Sequence, residues 1–277
     1  MVIIKRFVTG VLMGIATWVS VGGGTIAIIL KIYDDLLNAV TLNIKKLLRN
    51  MPLLLPVVGG MVVGIAIAAV LISNFLDLYF PVQTKMFFFG IVLGSIPIFY
   101  KEAVKVEKLK PLDIIPFIIG AAAIILLWLY QLRTEGTSAV AAVTGLSAVT
   151  IIKLILGGIV TAAAMVLPGL SGSAMMLVLG IYYMLTDAIA HPLENLPLLA
   201  IFGISCLVGI FASAKPIAWL LAHKRKVTYC VIGGFVIGSL PSLFPYAEFL
   251  FDINGIVGIV VMLIAIPLPT LLEKIAD

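Results

Sequence analysis

The amino-acid sequence predicts an all-α polytopic membrane protein made of two inverted repeats. Each repeat is a re-entrant broken-helix hairpin followed by three transmembrane helices. Three observations predict this. First, 62% of the 277 residues are hydrophobic and only 11% are charged, with a mean hydropathy of +1.25. A chain this apolar, with several runs of spanning length, folds in lipid, where helices satisfy the backbone internally. Second, two apolar stretches are interrupted by glycine, one of them also by proline, where an ordinary span would continue. Third, short sequence blocks recur in the same order in two halves, about 1–145 and 146–277, of a single integral membrane domain covering 1–277.

From the amino end, Lys5-Arg6 introduce an apolar segment over 7–32, broken at Gly22-Gly23-Gly24-Thr25. No cleavable signal peptide is expected, because no small-residue cleavage site follows the run that starts at Phe7. A basic cluster follows (Lys45, Lys46, Arg49), then candidate spans over 53–75, 86–100 (short and glycine-containing) and 114–132. The second broken segment covers 151–189. At its centre stands Val166-Leu167-Pro168-Gly169-Leu170-Ser171-Gly172-Ser173. Neither flank of that motif reaches the roughly 20 helical residues that a ~30 Å hydrocarbon layer requires. Spans over 198–214, 227–244 and 253–272 close the chain. Cys206 and Cys230 sit in apolar segments without pairing or metal spacing.

The recurrence is specific. A shift of 149 residues lays Leu30-Lys31-Ile32-Tyr33 on Leu179-Gly180-Ile181-Tyr182, Ala39 on Ala188 and Gly23 on Gly172. Asn50-Met51-Pro52-Leu53-Leu54 matches Asn195-Leu196-Pro197-Leu198-Leu199. Gly90-x-x-x-Gly94-Ser95-x-Pro97 matches Gly234-x-x-x-Gly238-Ser239-x-Pro241.

Charge orients the halves. If the first broken segment dips in and returns, Lys5, Arg6, Lys45, Lys46 and Arg49 share one side. The loop with Lys101, Lys105, Lys108 and Lys110 then joins them, as do Lys224-Arg225-Lys226 and Lys274. Only Lys85 and Arg133 fall outside, and the positive-inside rule makes the common side cytoplasmic, with both termini on it. Three spans lie between the hairpins. Because three is odd, the second hairpin is inverted, and the two tips approach each other near the midplane. The basic loops serve mainly as topology signals, with attraction to anionic lipid headgroups as a secondary effect.

Thr25 and Ser173 read as caps of the outgoing half-helices. Helix starts offer backbone N–H groups, and glycine lets a ligand come close to them. Two facing starts would make an anion site for a phosphate or carboxylate. The rival reading of these glycines is helix packing, which is the reading favoured for Gly90/Gly94 and Gly234/Gly238. Lys31, an ionisable residue in an apolar run, carries two open readings. One is a functional intramembrane charge; the other is a stem that snorkels to the surface beside Asp34 and Asp35.

The motif Leu167-Pro168-Gly169-Leu170-Ser171-Gly172-Ser173, followed by the run to Leu179-Gly180-Ile181-Tyr182, resembles the second signature of the PopT-type polyprenyl-phosphate translocases. Their first signature, Pro-Gly-Val-Ser-Gly-Gly-Thr, falls on residues 19–25. There Val21, Gly23, Gly24 and Thr25 match, while Val19, Ser20 and Gly22 depart from it, and Lys31 replaces a usual glycine. The resemblance implies a lipid transporter of the bacterial cytoplasmic membrane that moves undecaprenyl phosphate from the outer to the inner leaflet for reuse in cell-wall polymer synthesis. It implies a phosphate held by Gly22, Gly23, Gly24 and Thr25 on one tip and Pro168, Gly169, Ser171, Gly172 and Ser173 on the other, with Lys31 as a counter-charge. No cofactor, metal or nucleic-acid partner is expected. Without a nucleotide-binding motif, the drive falls to a coupling ion, a proton or sodium, or to the lipid gradient itself.

Two rivals use the same residues. A transporter or channel for a small anion would need the same tips. An intramembrane serine hydrolase would read Gly169-Leu170-Ser171-Gly172 as a nucleophile motif, but its base would have to come from His191 or His223, neither of which is well placed on a spanning helix.

Overall fold

The structure is a computed structural model that describes residues 2–18, 22–41, 43–105, 107–134, 147–191, 193–246 and 248–276. Val19, Ser20 and Val21 of the first break lie outside the described residues. So does 135–146, the join between the two halves.

Every regular element among the described residues is helical. The first half holds α1 (Val2–Trp18), α2 (Gly23–Ile29), α3 (Tyr33–Ala39) and α4 (Ile44–Ala68). The line of α4 continues through a π-helical stretch, Ala69–Leu76, into a stub, α5 (Asp77–Tyr79). Then come α6 (Pro81–Val104) and α7 (Ile114–Thr134). The second half holds α8 (Ala148–Val166), α9 (Gly172–Val178), α10 (Tyr182–Ala190), α11 (Leu196–His223), α12 (Arg225–Leu243), α13 (Ile253–Ala265) and α14 (Leu268–Ala276). Seven helices among the described residues are long and apolar enough to cross a membrane. The chain is therefore a multi-pass helical membrane protein.

Several segments outrun their sequence expectation, and one is the first flank of the 166–173 motif: α8 runs 19 residues and is one of the seven helices long and apolar enough to cross. The short 86–100 segment is a 24-residue helix: Pro81 sits in its first turn, where a missing N–H costs nothing, and Pro97 is accommodated inside. The 198–214 segment extends to the 28 residues of α11. The last span is divided between α13 and α14 at Ile266-Pro267.

The outer faces are apolar, as at Ile118, Ile119, Leu126, Ile204 and Leu263. Hydroxyls are turned inward instead: Ser95, Thr25, Thr161 and Ser239 are buried. Ser95 and Ser239 donate to the carbonyls of Val92 and Val236, whereas the buried Thr161 hydroxyl has no hydrogen-bond partner among the described residues.

Glycines set the packing. A methyl group on Gly60 would sit 2.1 Å from the Phe7 carbonyl oxygen, and one on Gly64 2.1 Å from that of Val11. One on Gly10 would meet Val57, and one on Gly14 would meet Met61. Partner numbers rise together, so α1 and α4 run parallel with backbones in contact. The same holds for α8 and α11 (Gly158 on Ser205, Gly209 on Ala162), for α6 and α13 (Gly90 on Met262, Gly94 on Ile266), and for α7 and α12 (Gly234 on Phe117, Gly238 on Ala121). The packing role expected for Gly90, Gly94, Gly234 and Gly238 is what the structure has. By contrast α6 and α12 cross antiparallel, with Glu102 against Arg225 at one end and the Phe89 and Phe244 rings 6.0 Å apart at the other.

One backbone turn occurs twice, 149 residues apart. Lys31 ends α2 at φ 57°, and Gly180 ends α9 at φ 67°. The Leu30, Lys31 and Ile32 amides donate to the carbonyls of Ile26, Ile28 and Ala27. Those of Leu179, Gly180 and Ile181 donate to Met175, Leu177 and Met176. This is the left-handed helix stop that glycine usually supplies. Lysine holds the glycine position in the first half.

Candidate functional site

The site is the meeting point of the two breaks. In the first, Gly22 takes φ 80° and its N–H reaches back 3.2 Å to the Ala16 carbonyl, so the chain turns tightly into α2. In the second, α8 ends inside the protein, Pro168 is fully buried, and Gly169 repeats the turn at φ 80°. A non-glycine residue pays a steric cost in that region.

The two turns touch. A methyl on Gly24 would lie 3.1 Å from the Pro168 nitrogen and from the Val166 oxygen, and one on Gly22 would lie 3.3 Å from the Leu170 oxygen. The Tyr33 hydroxyl donates to the Val166 carbonyl at 3.1 Å, tying the start of α3 to the end of α8. Gly169 in turn lies on the backbone of α12, where a methyl would sit 2.7 Å from the Val236 nitrogen.

Of the ten expected site residues, Gly22 and Gly24 meet the Pro168-Gly169 turn directly, Gly169, Ser171 and Ser173 line a common cavity, and Gly23, Thr25 and Gly172 lie beside them in the two short helices. Two details differ from expectation. Thr25 and Ser173 are not caps. The first helix starts at Gly23 with Gly22 before it, Thr25 lies inside that helix, and Ser173 is the second residue of α9. Instead the Ser171 and Ser173 hydroxyls bond each other at 2.8 Å. Each outgoing helix has only seven residues, so the macrodipole is small and the hydroxyls and close backbone carry the polarity.

Lys31 is not gathered with the others. It lies at the far end of α2, 3.9 Å from Glu273, which also accepts Lys101 at 3.1 Å. Of the two readings of Lys31, the partly exposed side chain and the small cavity it shares with Asp34 match the stem that snorkels toward the surface beside Asp34.

On one side of the tip a cavity of about 460 Å³ reaches the protein surface. Gly169, Ser171 and Ser173 line its inner end, Gln131, Ser239 and Ser242 its wall, and Lys85 and Glu248 its mouth. Lys85 and Glu248 are paired at 2.7 Å, and Trp128 stacks on Tyr246 with ring centroids 5.9 Å apart. No histidine lines this cavity. His191 and His223 are exposed at helix ends, bonded to the carbonyls of Asp187 and Trp219.

The other end of α12 carries an ionic network. Arg225 donates to Asp34 at 3.0 Å and to Glu102 more closely, and lies over the Tyr229 ring at 5.0 Å. Lys226 pairs with Glu107 and Asp113. Outside the spans, Lys110 and Lys226 hold the Glu107 carboxyl below the usual carboxylate range. Sequence reasoning missed this network, since Arg225 looked like one more basic loop residue. Ser239 carried a signal, as it belongs to the recurring Gly-Ser-x-Pro block.

A profile of the undecaprenyl phosphate translocase-like family matches residues 13–259. A polyprenyl-phosphate transporter of Vibrio cholerae is 30% identical over 261 residues, covering 88% of this chain and 79% of the relative. A polyprenyl-phosphate transporter of Staphylococcus aureus is 31% identical over 196 residues, covering 69% and 68%. No solved structure matches.

Proposed function

The chain belongs to the undecaprenyl phosphate translocase-like family, and on that premise we propose that it is a lipid transporter that carries undecaprenyl phosphate from the outer to the inner leaflet of a bacterial cytoplasmic membrane. The whole chain acts as one membrane domain. The observation that carries this reading is the cavity of about 460 Å³, lined by both polar and apolar side chains, whose inner end is the Gly169–Ser173 tip. A phosphate group needs donors in a place that lipid tails do not fill, and this cavity brings hydroxyls, an amide side chain and a lysine at its mouth to the point where the two breaks touch.

The proposed topology has two re-entrant hairpins of opposite direction. Parallel packing of α1 on α4 supports it, since the chain must come back between them. Arg6 donates to the Pro52 carbonyl at 2.9 Å, on the same side as the Lys45, Lys46 and Arg49 cluster. The two hairpins leave toward opposite ends of α12: Lys31 shares a cavity with Arg225, whereas Leu177 shares one with Ser239 and Phe244. Lysine and arginine gather at the Arg225 end, which makes it cytoplasmic by the positive-inside rule. The open cavity then faces outward, the side from which the headgroup enters.

The phosphate enters past Lys85, exchanges water for the Ser171 and Ser173 hydroxyls and the glycine backbone, and crosses the tip contact while the isoprenoid tail stays in lipid. Gly22–Thr25 and Gly169–Ser173 are the proposed headgroup contacts. Alternate exposure follows from movement of one half against the other. The test is reconstitution. Liposomes holding the full chain and a tail-labelled undecaprenyl phosphate should pass the phosphate between leaflets much faster than protein-free liposomes, while unphosphorylated undecaprenol gains nothing. Equal rates with and without protein, measured in either orientation and with proton and sodium gradients imposed in turn, would overturn the reading.

A further inference from the structure

The cytoplasmic half of the protein carries a second, differently built feature. An apolar groove of about 350 Å³ runs between α4 and α11. Its floor is α2 and α3, and it touches the tips through Gly24, Met165 and Val166. Its walls are aliphatic side chains, methionines and Cys206, and Val58 at its edge is 53% exposed, so it opens sideways toward lipid. A cavity of about 150 Å³ accommodates one benzene, so this groove has room for about two isoprene units.

Tyr33 lines the groove, and it also lines a small cavity of about 90 Å³ on its other side. That cavity holds Lys31, Lys105 and Arg225 against Asp34 and Glu102. Two buried polar atoms there have no hydrogen-bond partner, Arg225 Nε and Asp34 Oδ1. Lys105 is paired with Glu102 and Lys31 lies 3.9 Å from Glu273, so the unspent donor is Arg225 Nε. Three cations over two carboxylates, sharing one tyrosine wall with an apolar groove, match an amphiphile with an anionic head. Arg225 now spends its terminal nitrogens on Asp34 and Glu102. Asp34, with 44% of its side chain exposed against 16% for Glu102, is the carboxylate that an incoming anion displaces first.

We propose that Arg225, Lys31 and Tyr33 form a second, inner-leaflet site for the phosphate headgroup of a polyprenyl lipid, with the first isoprene units seated in the groove between α4 and α11. Asp34 and Glu102 occupy Arg225 until the headgroup arrives. The proposal rests on the lipid-carrier reading above and adds where the headgroup goes after the tips. The occupant is a lipid rather than free phosphate, because only a lipid fills the groove.

The test uses the full chain in nanodiscs and a polyprenyl phosphate with a photoreactive diazirine on its second isoprene unit. Labelled peptides are read by mass spectrometry, with the matching polyprenol and inorganic phosphate as controls. Labelling is expected on α3 and on the Cys206 face of α11. Arg225→Gln should cut it about tenfold, roughly one charge-assisted hydrogen bond. Asp34→Asn should raise it, a sign that damage to the fold cannot produce. Excess inorganic phosphate should leave it unchanged. Groove labelling that is equal for polyprenol, or unaltered by both substitutions, overturns the inner site. Phosphate-dependent labelling confined to the α7 and α12 walls of the outer cavity overturns it too, while upholding the carrier reading. Absence of phosphate-dependent labelling anywhere overturns both.

Discussion

Three glycine-to-alanine substitutions separate the forces that hold the second tip. Gly203 lies on the lipid face of α11 with nothing within 4 Å of an added methyl, and its backbone is helical. Gly180 also has open space, but its φ of 67° lies where a side chain is strained. Gly169 has both problems: φ is 80°, and the methyl would sit 2.7 Å from the Val236 nitrogen and 2.8 Å from the Phe235 carbonyl carbon. Left-handed backbone costs a non-glycine residue roughly 1–2 kcal/mol. Overpacking adds about 1–3 kcal/mol, near the upper end when the obstacle is backbone that cannot rotate away. Gly203→Ala should therefore be neutral or slightly stabilising, given alanine's better helix propensity. Gly180→Ala should lose about 1–2 kcal/mol and Gly169→Ala about 2–5 kcal/mol. At roughly 2–4 °C per kcal/mol for chains of this size, Gly169→Ala should melt on the order of 10 °C early. The assay is thermal unfolding in one detergent at one scan rate, since irreversible unfolding makes the midpoint rate-dependent. Equal melting of Gly169→Ala and Gly180→Ala would refute the reasoning, because it would mean that the tip does not rest on α12.

Three further outcomes follow from the same geometry. Lys31→Gly should stabilise slightly, since relief of roughly 1 kcal/mol of left-handed strain exceeds a half-exposed ion pair to Glu273; a fall in the melting midpoint would show that the pair outweighs the strain. Ser171→Ala combined with Ser173→Ala should slow phosphate transfer in liposomes about tenfold without abolishing it, one net hydrogen bond being worth about 1 kcal/mol; complete loss would point to chemistry at a serine rather than binding. Single cysteines at positions 5 and 49 should react with an impermeant maleimide from one face of the membrane and a cysteine at position 85 from the other. Labelling of 5 and 49 from opposite faces would remove the first hairpin.

Local chemistry left clear marks in the sequence, and partnerships between distant residues did not. Proline and paired glycines announced the break at 166–173, because no helix continues through Leu167-Pro168-Gly169 without losing backbone bonds. The positive-inside rule puts Lys5 and Arg6 on the side of Arg49, and in the structure Arg6 donates to the Pro52 carbonyl. The glycine pairs on α6 and α12 were readable as contacts. Their partners on α13 and α7 were not, because parallel neighbours lie far apart in the chain and hydrophobic periodicity says nothing of which helix faces which. Lys31 stood out as an oddity, yet its partner is Glu273 at the other end of the sequence. Arg225 was hidden among Lys224 and Lys226. The caps were misplaced because glycine takes the turning positions Gly22 and Gly169 by φ alone, which leaves Thr25 and Ser173 free to lie inside the helices they follow.

Helix α12 links the two proposed sites, and its length suits one element to serve both leaflets in the proposed carrier. Its 19 residues rise about 28 Å, close to the hydrocarbon thickness. Arg225 stands at one end, Ser239 and Ser242 at the other, and Gly169 lies on the backbone at Val236 between them. Backbone on backbone, without side chains to rearrange, makes the joint between the second tip and α12 stiff. The joint between the two tips is of another kind: a methyl added to Gly22 or Gly24 would meet residues 166–170 only at 3.1–3.6 Å, and the hydrogen bond between Tyr33 and Val166 crosses beside them. One neutral hydrogen bond and a small glycine contact are weaker than four glycine-packed helix pairs. Alternate exposure in the proposed carrier therefore belongs at that seam, with α2 and α3 parting from the end of α8. The Arg225–Asp34 bond stands across the same seam, since Asp34 rides on α3 and Arg225 on α12. In the proposed carrier, a headgroup that has crossed the tips and takes Arg225 from Asp34 removes one of the bonds that hold α3 to α12.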